Sequence, residues 1–173
     1  MDVVLEILKY TVPALLVILV TFLMLRGFLN NEESKRLYHL KRSTQKEAFP
    51  IRLQAYERYV LFLERISPPN LLRRVKGHGL SVDQYKSLLV QTIRTEFDHN
   101  LAQQIYVSPE AWRMIKAAKD ATLNIIGKTA SELEDKSDGS KLGEAILTNY
   151  MDQEMGPSER AIFYIKAELR EEF

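Results

Sequence analysis

The chain has 173 residues, 46% of them hydrophobic and 27% charged, with no cysteine and a formal charge of +1. The lack of cysteine excludes a disulfide scaffold, a thiolate zinc site and a cysteine nucleophile. A net charge so close to zero argues against binding nucleic acid along the whole chain.

The first predicted element is a membrane span within residues 1–29. Sixteen residues between Lys9 and Arg26 carry no charge. At about 1.5 Å per residue they cover roughly 24 Å, short of a hydrocarbon core of ~30 Å. Val3, Val4, Leu5, Ile7 and Leu8 extend the apolar run on one side, and Phe28 and Leu29 on the other. The long stems of Lys9 and Arg26 reach the interface and make up the difference. Tyr10 suits an interfacial aromatic belt, and Pro13 lies early in the helix, where a missing N–H does least harm. A cleaved signal peptide needs a basic start and a small-residue cleavage site. This chain starts Met1-Asp2-Val3-Val4-Leu5-Glu6 and follows its apolar run with Arg26-Gly27-Phe28. A helix in a water-soluble core would be amphipathic, whereas this one is apolar all round.

The basic residues Arg26, Lys35, Arg36, Lys41, Arg42 and Lys46 cluster behind the span, with only Lys9 before it. The positive-inside rule therefore predicts a short N-terminus outside and a cytoplasmic C-terminal domain. In a bacterium the membrane would be the inner one. Residues 30–49 read as a juxtamembrane helix or linker, because only Leu37 and Leu40 form an apolar stripe. Phe49-Pro50 ends or kinks it.

Residues 50–173 read as one compact all-α domain of about five or six helices, and 144 residues past the span suffice for a real core. Residues 51–66 carry Leu53, Tyr56, Val60 and Leu63 at helical spacing, widened by Leu61 and Phe62. Ser67-Pro68-Pro69-Asn70 stops that helix, Leu71 to Lys76 allow one short turn, and Gly77-His78-Gly79 is a turn. Ser81 followed by Gln84 is a capping box. It starts a helix to about Tyr106 with Tyr85, Leu89, Ile93 and Phe97 inward. Ser108-Pro109-Glu110 starts another, to about Leu133. Its stripe of Ala111, Ile115, Ala118, Thr122, Ile125 or Ile126, Thr129 and Leu133 contains several small residues, which predicts a centrally packed helix. Residues 134–141 read as a solvent loop. A shorter helix over 142–154 turns Leu142, Ala145, Ile146 and Tyr150 inward. A last one after Gly156-Pro157-Ser158 carries Ile162, Ile165, Leu169 and Phe173.

Glu96 and His99 are spaced as in a helix-borne carboxylate–histidine metal pair, but a di-metal bundle needs a second such pair. The other histidines, His39 and His78, have Arg36 and Val75 three positions earlier. A single metal held by Glu96, Asp98 and His99 is the enzyme or sensor alternative; an ordinary polar pair on a helix flank is the plainer one. Glu96, Asn100 and Gln103 or Gln104 also fall near the side of Ile93. Together with His99 they are either wet at a helix that leaves the core, a buried network with a partner such as Arg58, or a cleft. Trp112 is a plug at a helix junction or a stacking surface. No phosphate loop, dinucleotide fingerprint or serine nucleophile elbow occurs, so no cofactor is expected.

Charge is divided along the chain. Lys35 to Lys76 hold eleven basic and three acidic residues, a net of +8, whereas Gly77 to Phe173 hold eleven and sixteen, a net of −5. A basic segment behind an anchor is drawn to anionic lipid by about 1 kcal/mol per cation near the surface. The expected lipid partner is thus an anionic inner leaflet. Nucleic acid is not expected, because Tyr56 and Tyr59 are the aromatics read as stacking groups among these basic residues, too few for a stacking platform.

Two stretches, "LQAYERYVLFLERISPPNLL" (53–72) and "EFDHNLAQQIYVSPEAW" (96–112), together with the N-terminal span, give the chain its resemblance to a family of uncharacterised bacterial single-pass membrane proteins. The resemblance supports the anchor and the helical domain and brings no activity, cofactor or catalytic residue. The expected function is a non-enzymatic interaction or scaffold module at the inner membrane, with an unidentified protein partner or a second copy as its target.

Overall fold

The computed structural model describes Lys9, Thr11, residues 15–26 and residues 49–171 of the chain, which divides into two units, Met1–Phe49 and Pro50–Phe173. The described residues form α-helices and one 3-10 helix, with no strand among them.

In the first unit, residues 15–26 form a helix (α1) whose side chains are all exposed. They run from Leu15 to Leu25 without a charge before Arg26. The Thr21 hydroxyl donates to the Val17 carbonyl at 2.8 Å, which satisfies the polar group within the helix itself. Twelve residues extend about 18 Å, and no helix among the described residues is long and apolar enough to cross a membrane. The rest of the expected span lies outside the described residues. So do Phe173 and the expected juxtamembrane segment up to residue 48, which holds Lys35, Arg36, Lys41, Arg42 and Lys46.

The second unit contains α2 (49–66) from Pro50 onward, α3 (Pro68–Arg74), α4 (Val82–Asn100), a 3-10 helix (Leu101–Tyr106), α5 (Pro109–Glu132), α6 (Gly139–Met151) and α7 (Pro157–Glu171). Helix α5 packs against α4, α6 and α7. Its buried positions Ala111, Ala118, Thr122, Thr129 and Ala130 are small and let neighbouring axes come close, as its sequence predicts. The Thr122 hydroxyl is fully buried because it donates to the Ala118 carbonyl at 2.9 Å.

Local signals set the helix starts. Ser81 and Gln84 form the reciprocal capping box. The Ser108 hydroxyl accepts from the Ala111 N–H at 3.0 Å, with Pro109 opening α5. Three boundaries differ from the sequence reading. Helix α3 begins at Pro68, since both prolines sit in its first turn, where no N–H is needed. Helix α4 ends at Asn100 and tightens into the 3-10 helix. Helix α6 begins at Gly139, and the preceding loop is not simply solvated. Val82 N–H donates to Lys136 O at 3.0 Å and Gly139 N–H to Leu80 O at 2.7 Å. This close approach requires glycine: a Cβ on Gly77 would lie 2.7 Å from the Gly139 carbonyl carbon. Gly79 turns the chain at φ 76°.

The core gathers Tyr56, Tyr59, Phe62, Leu63 and Ile66 of α2 around Tyr85, Leu89, Ile93, Ile115, Ile126, Leu142, Ile146 and Ile165. Two residues assigned inward by spacing are exposed: Leu53 and Leu61. The buried stripe of α2 runs through its tyrosines instead.

Candidate functional site

Glu96 projects from α4 toward two arginines on different helices. Arg65 Nη1 donates to both carboxylate oxygens, at 3.1 and 3.3 Å, and Arg74 Nη1 donates to Oε1 at 3.2 Å. Arg74 also donates through Nη2 to the Arg65 carbonyl at 3.1 Å, satisfying an acceptor at the C-terminal end of α2. The Ser67-Pro68-Pro69-Asn70 corner makes this possible. Ser67 Oγ and Asn70 Nδ2 both donate to the Glu64 carbonyl, at 2.7 and 3.0 Å, and fold α3 back on α2. Partial burial pushes the Glu96 carboxyl up, but the two guanidiniums outweigh it and hold the group below the usual carboxylate range. Glu96 therefore stays ionised and ties α2, α3 and α4 together.

Beside this ion pair lies an open groove of about 530 Å³ lined by Arg65, Leu88, Thr92, Thr95, Glu96 and His99, with Gln91. The α4 residues follow one another at helical spacing, so the groove runs along the solvent side of that helix. Thr92 donates to the Leu88 carbonyl at 2.8 Å. The groove presents amide, hydroxyl and imidazole groups to solvent around a paired carboxylate. Such a lining can bind by hydrogen bonding.

The polar residues singled out on α4 part company in the structure. Glu96 is partly buried and pairs with Arg65 and Arg74, not Arg58. Asp98 and His99 are exposed. Asn100 is buried, its amide donating to the Glu96 carbonyl at 2.8 Å and its own carbonyl accepting from the Tyr59 hydroxyl at 3.0 Å. Gln103 is half-buried and Gln104 exposed. Among the described residues no group of three or more metal-ligating side chains is gathered. Glu96, Asp98 and His99 thus do not form a metal site, because the Glu96 oxygens turn toward the guanidiniums.

Trp112 is a junction plug. Its ring stacks on Phe97 at 5.4 Å between centroids and 13° between planes, and it also meets Tyr59 at 5.7 Å. Lys119 Nζ lies 4.4 Å from the Phe97 ring centre and Lys116 Nζ 5.5 Å from that of Trp112, both within cation–π reach.

One polar cluster escaped the sequence reading. The Tyr56 hydroxyl accepts from the Ser108 N–H at 3.1 Å and donates to the Glu168 carboxylate, while Ser108 Oγ donates to Glu168 Oε2 at 2.8 Å. The three residues come from α2, the start of α5 and α7. Their separations of 52, 60 and 112 positions leave no local signal. Only the Ser108 cap was visible.

A family model described as a family of unknown function, DUF7935, matches residues 2–172. No curated protein matches the chain. No solved structure matches it either.

Proposed function

The chain belongs to the DUF7935 family of unknown function, and from its own residues we propose a membrane-anchored helical interaction module. One observation carries the reading: α1 exposes a run of large apolar side chains broken only by Thr21, including Leu16, Val17, Ile18, Leu19, Phe22 and Leu23. Removing such a side chain from water is worth about 1.5–3 kcal/mol each, so a helix with this surface seeks lipid. The apolar sequence on both sides of α1, between Asp2 and Leu29, supplies the remaining length for a single span. The basic residues from Arg26 to Lys46 support placing the helical domain on the inner side of a bacterial inner membrane, against anionic lipid. The Arg65–Glu96–Arg74 junction and the adjoining groove on α4 support protein binding by that domain, with an unidentified partner as the ligand.

The test is flotation of the full chain with vesicles of phosphatidylglycerol and phosphatidylcholine, followed by alkaline carbonate extraction. The chain is expected to float and to resist extraction. Recovery in the unbound fraction, or release by carbonate, overturns the anchor. Cross-linking from single cysteines on the groove side of α4 in native membranes tests the interaction role, which fails if only un-cross-linked chain is recovered.

A further inference from the structure

We propose that the groove beside Glu96 takes a peptide segment bearing an Asp or Glu side chain, and that Arg65 receives its carboxylate. The proposal rests on the interaction reading above and names the chemistry of the partner. Its basis is a guanidinium engaged at one corner only. Arg65 meets Glu96 through Nη1 alone, at 3.1 and 3.3 Å, and neither its Nε nor its Nη2 bonds to another described residue. Those two N–H groups form an edge that matches a carboxylate in two parallel hydrogen bonds. The side chain is 46% exposed and lines the groove. Arg74, by contrast, is engaged at both Nη atoms, by Glu96 and by the Arg65 carbonyl.

Charge balance selects an acidic ligand. Two guanidiniums meet a single carboxylate, so the junction keeps one uncompensated positive charge. Glu96 is the only acid among the lining residues. Arg94 and Asp98, exposed on the same helix, carry opposite signs and leave that balance unchanged. The shape and lining select a peptide. From Leu88 to His99 the lining follows one stripe of α4 over about 16 Å. Gln91, Thr95 and His99 are exposed on it, and none has a side-chain hydrogen bond to another described residue. A peptide laid along α4 meets amide, hydroxyl and imidazole groups in turn. A lipid would find little apolar surface for its acyl chains there, since Leu88 is the only large apolar lining residue.

The test selects random peptides displayed on phage against the full-length chain in mild detergent, then measures the enriched peptides by fluorescence anisotropy. They are expected to contain Asp or Glu and to lose binding when Thr95→Tyr fills the groove. Changing that acid to Asn or Gln, or Arg65→Gln in the chain, is expected to weaken binding about tenfold. Glu96→Gln breaks the same ion pair but keeps the cation and removes a competing carboxylate, so it is expected to tighten binding. Equal losses in Arg65→Gln and Glu96→Gln would reduce Arg65 to a structural role and overturn the proposal. Acid-free peptides blocked by Thr95→Tyr overturn the acidic ligand while the groove stands as an interaction site. No enrichment, or peptides indifferent to Thr95→Tyr, overturns the groove itself. Short-chain phosphatidylglycerol that binds the wild type but not Arg65→Gln, where no peptide is enriched, overturns the peptide in favour of a lipid headgroup.

Discussion

The Tyr59 hydroxyl donates to the carbonyl of Asn100 at 3.0 Å, fastening the middle of α2 to the residue at which α4 tightens into the 3-10 helix. Tyr59 is fully buried, and burial pushes its hydroxyl up to about 12. Replacing it, Tyr59→Phe, keeps the ring contact with Trp112 and removes one buried hydrogen bond, an expected loss of about 1 kcal/mol in denaturant unfolding. The sign with pH follows from the raised value. The contribution of the neutral hydroxyl is complete below the ordinary tyrosine value near 10 and is lost as pH rises through about 12. The gap between wild type and variant should shrink across that alkaline window; a gap that is constant there refutes the assignment.

Glu96 predicts the opposite pH behaviour. Its carboxyl is held below the usual range, so its contribution is present above the ordinary value and disappears as acid takes the pH down through the lowered one. Arg65 and Arg74 are 46% and 37% exposed, so solvent screens the pair. Glu96→Gln is expected to cost only about 1 kcal/mol at neutral pH. Unfolding curves of the two proteins should converge in acid and draw together in high salt. Equal stability at neutral pH and low salt would show that the ion pair contributes nothing.

Two glycines in the helical domain should respond in opposite directions to the same change. A Cβ on Gly139 would lie 2.8 Å from Tyr85 Cβ and 2.9 Å from the Gly77 carbonyl oxygen. Gly139→Ala is therefore expected to destabilise by about 1–3 kcal/mol through overpacking. Gly127 sits inside α5 with open space where its Cβ would go. Gly127→Ala is expected to stabilise by up to about 1 kcal/mol, the difference in helix propensity. Thermal melts of both variants check this; a lower melting temperature for Gly127→Ala would contradict it.

Membrane association should depend on α1 and not on surface apolarity in general. An arginine at the centre of a spanning helix costs about 2.5–3.5 kcal/mol on insertion scales. Ile18→Arg should thus reduce the floated fraction of the full chain strongly, while Phe163→Arg leaves it unchanged. Equal flotation of Ile18→Arg and wild type would separate α1 from membrane binding.

Much of the fold was legible because its signals are local. The Ser81–Gln84 box, the Ser108–Pro109 start and the small-residue stripe of α5 each lie within a few turns of one helix, and each appears where the spacing puts it. The inward face of α2 was read less well. Leu53 and Leu61 fit the spacing as well as Tyr56 and Tyr59 do, and the tyrosines are buried because each hydroxyl finds a partner on another helix. The candidate site was legible only as a set of polar residues on α4. Nothing near Glu96 in the chain indicates that Arg65 and Arg74 face it, 31 and 22 positions away.

By itself, the sequence determined an all-helical chain, the start signals of its main helices, and an uncharged N-terminal run followed by a basic one. These are properties of neighbours along the chain, where capping, helical period and charge act over a few residues. Tertiary structure alone decided which polar side chains are satisfied and by what: Glu96 by two guanidiniums rather than a metal, Asn100 by Tyr59, and Tyr56 by Glu168 and Ser108. The physical reason is that a buried polar group must find its partner among whatever groups the packed helices bring within about 3 Å, and helix packing joins residues that chain distance keeps apart.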